Sequence, residues 1–299
     1  MHVPVLLKEA IDILNLKAGG VYLDATLGAG GHTEEVFKRL GNSVVVAGID
    51  ADPLAVDAAR VRLELAGAHT RFATLNFRHI PEALTRLEIE NPTAILMDLG
   101  WNKSQFDTPE GMPGRGFSFQ KDEPLLMTFG DSSTSEFTAM DIVNTWDAEN
   151  IETILDAYGE EKLAWKIAHR IVEAREKGEI KTSRQLAEII YYSVPMWYRF
   201  KKIHPATRTF QALRIAVNDE LRTLQNGLQG SFEILKPGGV LAVISFHSLE
   251  DRIVKQYFKE LSIGEKAELL TKKPLVPSDE ESEQNPRSRS AKLRAIRKI

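Results

Sequence analysis

The sequence predicts an α/β protein, a parallel sheet of βαβ units interrupted by an inserted, mainly helical domain. Three observations predict it. Short apolar, β-prone runs alternate with helical patterns as far as Asp98, which argues for parallel strands joined by helices. A glycine-rich turn links the first run to the helix that follows it. Then 141 residues separate Asp98 from Val240, where the next buried-type run begins, far more than one crossover requires.

The elements follow in order. The first strand, Val21–Asp24, leads through Ala25-Thr26-Leu27 into Gly28-Ala29-Gly30-Gly31-His32, and a helix starts at Thr33-Glu34-Glu35-Val36-Phe37. The second strand, residues 44–49, ends in Asp50, and a helix covers residues 53–63. Strands over residues 71–74 and 94–97 follow, the latter leading into Asp98-Leu99-Gly100-Trp101. The long insertion reads as helical over residues 150–158, 161–177, 183–192 and 209–228. The turn Leu235-Lys236-Pro237-Gly238-Gly239 returns the chain to a fifth strand, Val240–Ser245. Residues 1–105 and 215–299 are therefore assigned to the sheet domain and 106–214 to the insertion. Residues 274–284 are polar and acidic and read as an exposed loop.

Composition narrows the function. Of 299 residues, 43% are hydrophobic and 27% charged, as in ordinary globular proteins. No apolar run reaches the length of a membrane span and no signal peptide is read, so a cytoplasmic location without membrane contact is expected. The net charge of −4 leaves nucleic-acid binding to local basic patches. The chain has no cysteine, which excludes disulfides, thiolate metal sites and the thiol nucleophile used for methylation at cytosine C5. No metal-ligand cluster is read.

Strand, glycine turn, helix, strand and an acidic residue about 20 positions on is the pattern that grips a nucleoside cofactor. Asp50 stands where ribose hydroxyls would be held. Two cofactor classes share the pattern. A dinucleotide site wants a third glycine where this chain has Thr33. Asp24, just before the turn, would repel a pyrophosphate but suits the cationic tail of S-adenosylmethionine. The local chemistry therefore favours a methyltransferase over a nicotinamide dehydrogenase.

Ligands of open α/β sheets bind outside the carboxyl ends of strands, where Asp98 is expected. It is placed either to accept a hydrogen bond from an exocyclic amine, freeing the nitrogen lone pair for methyl transfer, to bind the cofactor, or simply to cap a turn. His247, in Ser245-Phe246-His247-Ser248-Leu249-Glu250-Asp251-Arg252, is a candidate proton shuttle. Two basic segments stand out. Residues 198–211 interleave aromatics with Lys201, Lys202, His204 and Arg208, as single-stranded nucleic-acid surfaces do. Residues 285–299 hold six cations, among them Arg287, Arg289, Lys292 and Arg294, and no acid. Both fit RNA binding, or a solvated charged face.

Beyond these residues, the chain resembles the ribosomal RNA small subunit methyltransferase H family along nearly its whole length. The segments 24–32, 114–119, 202–220 and 245–252 carry the resemblance. It implies a class I, Rossmann-like S-adenosylmethionine methyltransferase domain interrupted by a helical domain. The implied reaction is methylation of the N4 amine of a decoding-centre cytosine in 16S rRNA of the small ribosomal subunit. Implied cofactor contacts are Gly30, Gly31, His32, Asp50, Phe77, Asp98 and Gln105. A homodimer is left open. Two stretches depart from the family pattern. Trp101-Asn102-Lys103-Ser104 replaces a small residue and Ser-Ser-Pro, and Leu126-Met127-Thr128-Phe129-Gly130 lacks an acidic and a basic group expected beside the base pocket. Trp101 is a candidate to stack on the base in their place. The departures keep open a second reading, an RNA- or ribosome-binding protein that retains the cofactor site with weak or altered activity.

Overall fold

The computed structural model of the chain describes residues 4–100, 114–129 and 135–299. In chain order the elements are α1 (Leu7–Leu14), β1 (Val21–Asp24), α2 (Gly31–Leu40), β2 (Val45–Asp50), α3 (Pro53–Leu65), β3 (Thr70–Thr74), α4 (Glu82–Leu87) and β4 (Ala94–Asp98). Then come α5 (Ala139–Thr145), α6 (Ala148–Gly159), α7 (Ala164–Arg175), α8 (Ser183–Ser193), α9 (Met196–Arg199), α10 (Ala206–Asn218) and α11 (Glu220–Ile234). The chain closes with β5 (Val240–Ser245), α12 (Ser248–Ile263), β6 (Ala267–Leu269), α13 (Asp279–Gln284) and β7 (Lys292–Lys298). It divides into two compact units, residues 1–102 with 221–299, and residues 103–220. No described helix is long and apolar enough to cross a membrane.

The first unit is a seven-stranded sheet, among the described residues, in the order β3-β2-β1-β4-β5-β7-β6. The first five strands are parallel, and β7 runs antiparallel between β5 and β6. Alternation along each strand feeds two cores. Tyr22, Val46, Leu96, Ala242 and Leu293 face one layer with Ile11 of α1, Val36 of α2 and Leu63 of α3. Leu23, Ala47, Met97, Val243 and Ile296 face the other with Leu228 of α11 and Phe258 of α12. The fold expectation of a sheet covered by helices is met by this three-layer arrangement.

Three elements differ from the sequence reading. The helix expected over residues 209–228 is two helices, because Asp219 turns left-handed at φ 48° and ends α10, a conformation a short polar side chain tolerates. The acidic loop at 274–284 contains α13, capped by the Ser278 side chain, with Asp279, Glu280 and Glu281 in its first turn, where carboxylates suit the positive helix end. The basic tail holds strand β7, whose apolar Leu293 and Ala295 alternate with Arg294.

The second unit packs helices around Ile142, Ile151, Leu155, Ile167, Ile171, Leu186 and Leu213. The segment 123–129 is sewn onto it by backbone bonds: Leu125 N–H donates to Lys181 O and Met127 N–H to Arg115 O. The Asn218 amide brackets the turn, accepting from Phe129 N–H at 2.8 Å and donating to Met127 O at 2.7 Å.

Candidate active site

The strand register builds a notch. Asp24, the last residue of β1, pairs with Gly48 on β2 and Leu96 on β4, so both neighbours run two residues further and end at Asp50 and Asp98. The glycine loop drops into this gap, Ala25 N–H bonding Leu96 O and Leu27 N–H bonding Ile49 O. Gly28 and Gly30 take positive φ, 51° and 74°, which a side chain would strain. Gly30 is the N-cap of α2 and supplies no side chain to the first backbone N–H groups of that helix.

Asp24 is buried and spent internally. Its carboxylate accepts from Thr33 Oγ1 at 2.7 Å, Tyr22 OH at 3.1 Å and Thr26 N–H at 3.2 Å. Burial raises its pKa against these bonds. The expectation that Asp24 faces a cationic cofactor tail is therefore corrected. Thr33, where a dinucleotide site has glycine, is the partner that keeps Asp24 satisfied.

Asp50 is oriented by two backbone donors, Gly28 N–H at 2.8 Å and Asp52 N–H at 2.9 Å. Burial raises its pKa to about 6, with the two N–H bonds opposing. Each oxygen keeps a lone pair beyond these bonds, which suits vicinal hydroxyls. Asp98 N–H is fixed by Thr26 Oγ1 at 2.6 Å. Its Oδ2 lies 3.7 Å from His32 Nδ1, and its Oδ1 is shielded with no hydrogen-bond partner. Burial pushes the Asp98 carboxyl up to about 7, opposed by His32 and assisted by Asp24 and Glu250. A shielded acceptor with nothing to accept is a site for an N–H brought by a ligand. Asp50 and Asp98 thus offer acceptors for the hydroxyl and N–H groups of a nucleoside cofactor and its substrate. Thr26 was not singled out by the sequence reading, although it stands inside the glycine motif.

Phe77 opens a short turn after β3 and packs beside α11, where a Cβ on Gly227 would come within 2.4 Å of its ring. His247 caps α12: its Nδ1 accepts from Glu250 N–H at 3.4 Å, while Nε2 lies 3.2 Å from Glu250 Oε1. One ring nitrogen of the candidate shuttle is thus committed to holding a helix. Trp101 and Gln105 lie outside the described residues, as do residues 102–104 and Gly130.

Within the second unit, Met127 and Thr128 of the departing run are buried. They belong to that unit's packing, so the missing charges are replaced by core. Lys201 and Lys202 are exposed, His204 stacks on Phe119 at 4.5 Å, and Arg208 donates to Glu160 O. In the tail, Arg287 and Arg289 are exposed. Arg294 is not an RNA-facing cation. It is buried on β7, and its Nε donates to Asp251 Oδ1 at 2.7 Å, with Lys292 Nζ 3.2 Å from Oδ2. Burial alone would raise the Asp251 carboxyl, but these two cations hold it below the usual carboxylate range.

The family model described as the MraW methylase family matches residues 1–299. A Carboxydothermus hydrogenoformans protein named ribosomal RNA small subunit methyltransferase H is 47% identical, over 100% of this chain and 98% of its own length. Its namesake in Halothermothrix orenii is 44% identical with the same coverage. Among solved structures, a Streptococcus mutans protein in complex with SAH aligns over 100% of both chains at 13% identity, with a TM-score of 0.48.

Proposed function

The chain belongs to the MraW methylase family, and from that premise we propose that it methylates the N4 exocyclic amine of a decoding-centre cytosine in 16S rRNA. That it is an S-adenosylmethionine-dependent methyltransferase of small-subunit ribosomal RNA follows from its family and from full-length relatives of that name. The observation that carries the finer reading is the unpartnered, shielded Oδ1 of Asp98.

S-adenosylmethionine supplies an electrophilic methyl when bound. Asp50, with its carboxylate already aimed by Gly28 and Asp52, would hold the ribose hydroxyls, and the backbone from Gly30 to His32 would line the same end of the sheet. Asp98 accepts a hydrogen bond from the cytosine amine. That nitrogen is a poor nucleophile because its lone pair is delocalised into the ring, and an acceptor on its N–H counters the delocalisation. The methylated nitrogen must then release a proton. A carboxylate raised to about 7 is matched to take it near neutral pH. Thr26 fixes the Asp98 backbone and His32 flanks its carboxylate. No step is assigned to His247. Trp101 is proposed to stack on the base, and Gln105 to contact the cofactor.

The test is methyl transfer to unmodified small subunits, with the modified nucleotide mapped. N4-methylcytosine in the decoding centre is the expected product. Methylation at another atom would overturn the assignment. Tight cofactor binding without transfer would favour the ribosome-binding reading.

A further inference from the structure

The second unit carries an exposed aromatic and basic surface with no part in the chemistry above. Between Glu188 and Asp219 the chain has Arg199, Lys201, Lys202, Arg208 and Arg214 and no acid, although its net charge is −4. Trp197 on α9 is 63% exposed and Phe200 just after it 74%. Met196 and Ile203 are also exposed.

The segment is anchored. Tyr198 is buried between these two rings in sequence, and its hydroxyl lies 2.7 Å from both carboxylate oxygens of buried Glu161. The Arg199 guanidinium donates to Val194 O and Tyr192 O and lies 5.0 Å from the Tyr191 ring. Lys201 Nζ sits 4.7 Å from the Trp197 ring centre. A fixed scaffold therefore holds two large flat rings in solvent with lysines beside them.

Exposed apolar area of this kind marks a binding surface. The occupant follows from the rim: flat faces next to cations complement bases strung on a phosphate backbone. We propose that Trp197 and Phe200 form a stacking platform for unpaired bases of the RNA substrate, with Lys201 and Lys202 meeting its phosphates. The proposal rests on the reading of the chain as an rRNA methyltransferase and names where that RNA is gripped away from the reacting atoms.

The experiment measures anisotropy of a fluorescein-labelled oligouridine, single-stranded or locked in a duplex, on the full chain. Trp197→Ala and Phe200→Ala should each lower single-strand affinity roughly five- to hundredfold. Trp197→Tyr should retain most of it, and duplex binding should change little. Trp197→Ala should keep the wild-type salt slope, whereas Lys201→Glu with Lys202→Glu should make it shallower. S-adenosylmethionine affinity should not move. If Trp197→Ala lowers thermal stability, Trp197→Leu keeps the bulk without the π face and should still lose RNA affinity. Wild-type affinity in both ring variants would overturn the platform. Wild-type affinity combined with altered sedimentation would assign the surface to a protein contact instead. Methyl transfer to small subunits by the wild-type chain, run in parallel, separates the two levels. Transfer with unaffected ring variants removes only the platform, and no transfer removes the functional reading with it.

Discussion

The Nδ1 atom of His32 lies 3.7 Å from Oδ2 of Asp98, while its Nε2 lies 3.0 Å from the carbonyl oxygen of Val5. A carbonyl only accepts, so Nε2 carries a proton. Nδ1, the other ring nitrogen, faces the Asp98 carboxylate. Burial raises the Asp98 carboxyl, and His32 opposes that rise.

Asp98→Asn tests the cost of that carboxylate. The folded-state pKa of about 7 stands above the ordinary 3.8, so the stabilising contribution of Asp98 is full below about pH 4 and is lost as pH rises through about 7. Asp98→Asn should therefore raise the melting temperature above about pH 8 and leave it near wild type at about pH 4. Methyl transfer by the wild type should decline as pH falls below about 7, because protonated Asp98 can no longer take up the proton that the methylated amine releases.

Asp50→Ala should weaken S-adenosylmethionine binding by an order of magnitude or more, since losing a charge-assisted contact costs roughly 1.5–3 kcal/mol. Asp98→Ala should lose more turnover than affinity. Calorimetry beside single-turnover rates checks both, and parallel losses at Asp98 would make it a cofactor ligand only.

The tail should separate into two classes of cation. Asp251→Ala strands the buried Arg294 guanidinium and should cost about 3–5 kcal/mol in denaturant unfolding. Arg287→Glu with Arg289→Glu should leave stability unchanged and make the salt dependence of RNA binding shallower. An unchanged slope would show that the exposed pair does not meet phosphate.

Gly227→Ala should act on the cofactor from a distance. The added Cβ would sit 2.4 Å from Phe77 Cδ2, so Phe77 must move or the helix must lift. Overpacking of this kind costs about 1–3 kcal/mol, and S-adenosylmethionine affinity should fall with it. Gly178→Ala, which meets nothing within 4 Å, should do neither, and Phe77→Leu should restore the stability of Gly227→Ala.

The middle of the sheet was legible because β1, β2 and β4 are largely buried apolar runs, such as Ile95-Leu96-Met97, each ending in an aspartate. Asp50 was readable from its distance to the glycine turn. Strand β7 was not, because its alternate cations hide a period of two: Arg294 looks solvated until its partner Asp251, 43 residues away, is known. The break at Asp219 was hidden for a different reason, since α10 and α11 share one uninterrupted helical pattern and only the backbone angle divides them. Asp24 misled because a carboxylate beside a glycine loop reads as a ligand, whereas Tyr22 and Thr33 absorb it.

The antiparallel insertion of β7 between β5 and β6 also orders how the molecule can be assembled. During synthesis β5 finds β4 only after the whole second unit has emerged, and β6 has no neighbour until residues 292–298 follow. Until then one flank of β5 is a bare ladder of unpaired amides and carbonyls, open to any passing strand. A chain interrupted before Lys292 would keep the notch and its three carboxylates yet leave the outer edge of β5 bare and β6 without a sheet to join. Its failure would appear as association into aggregates rather than as a lost catalytic group.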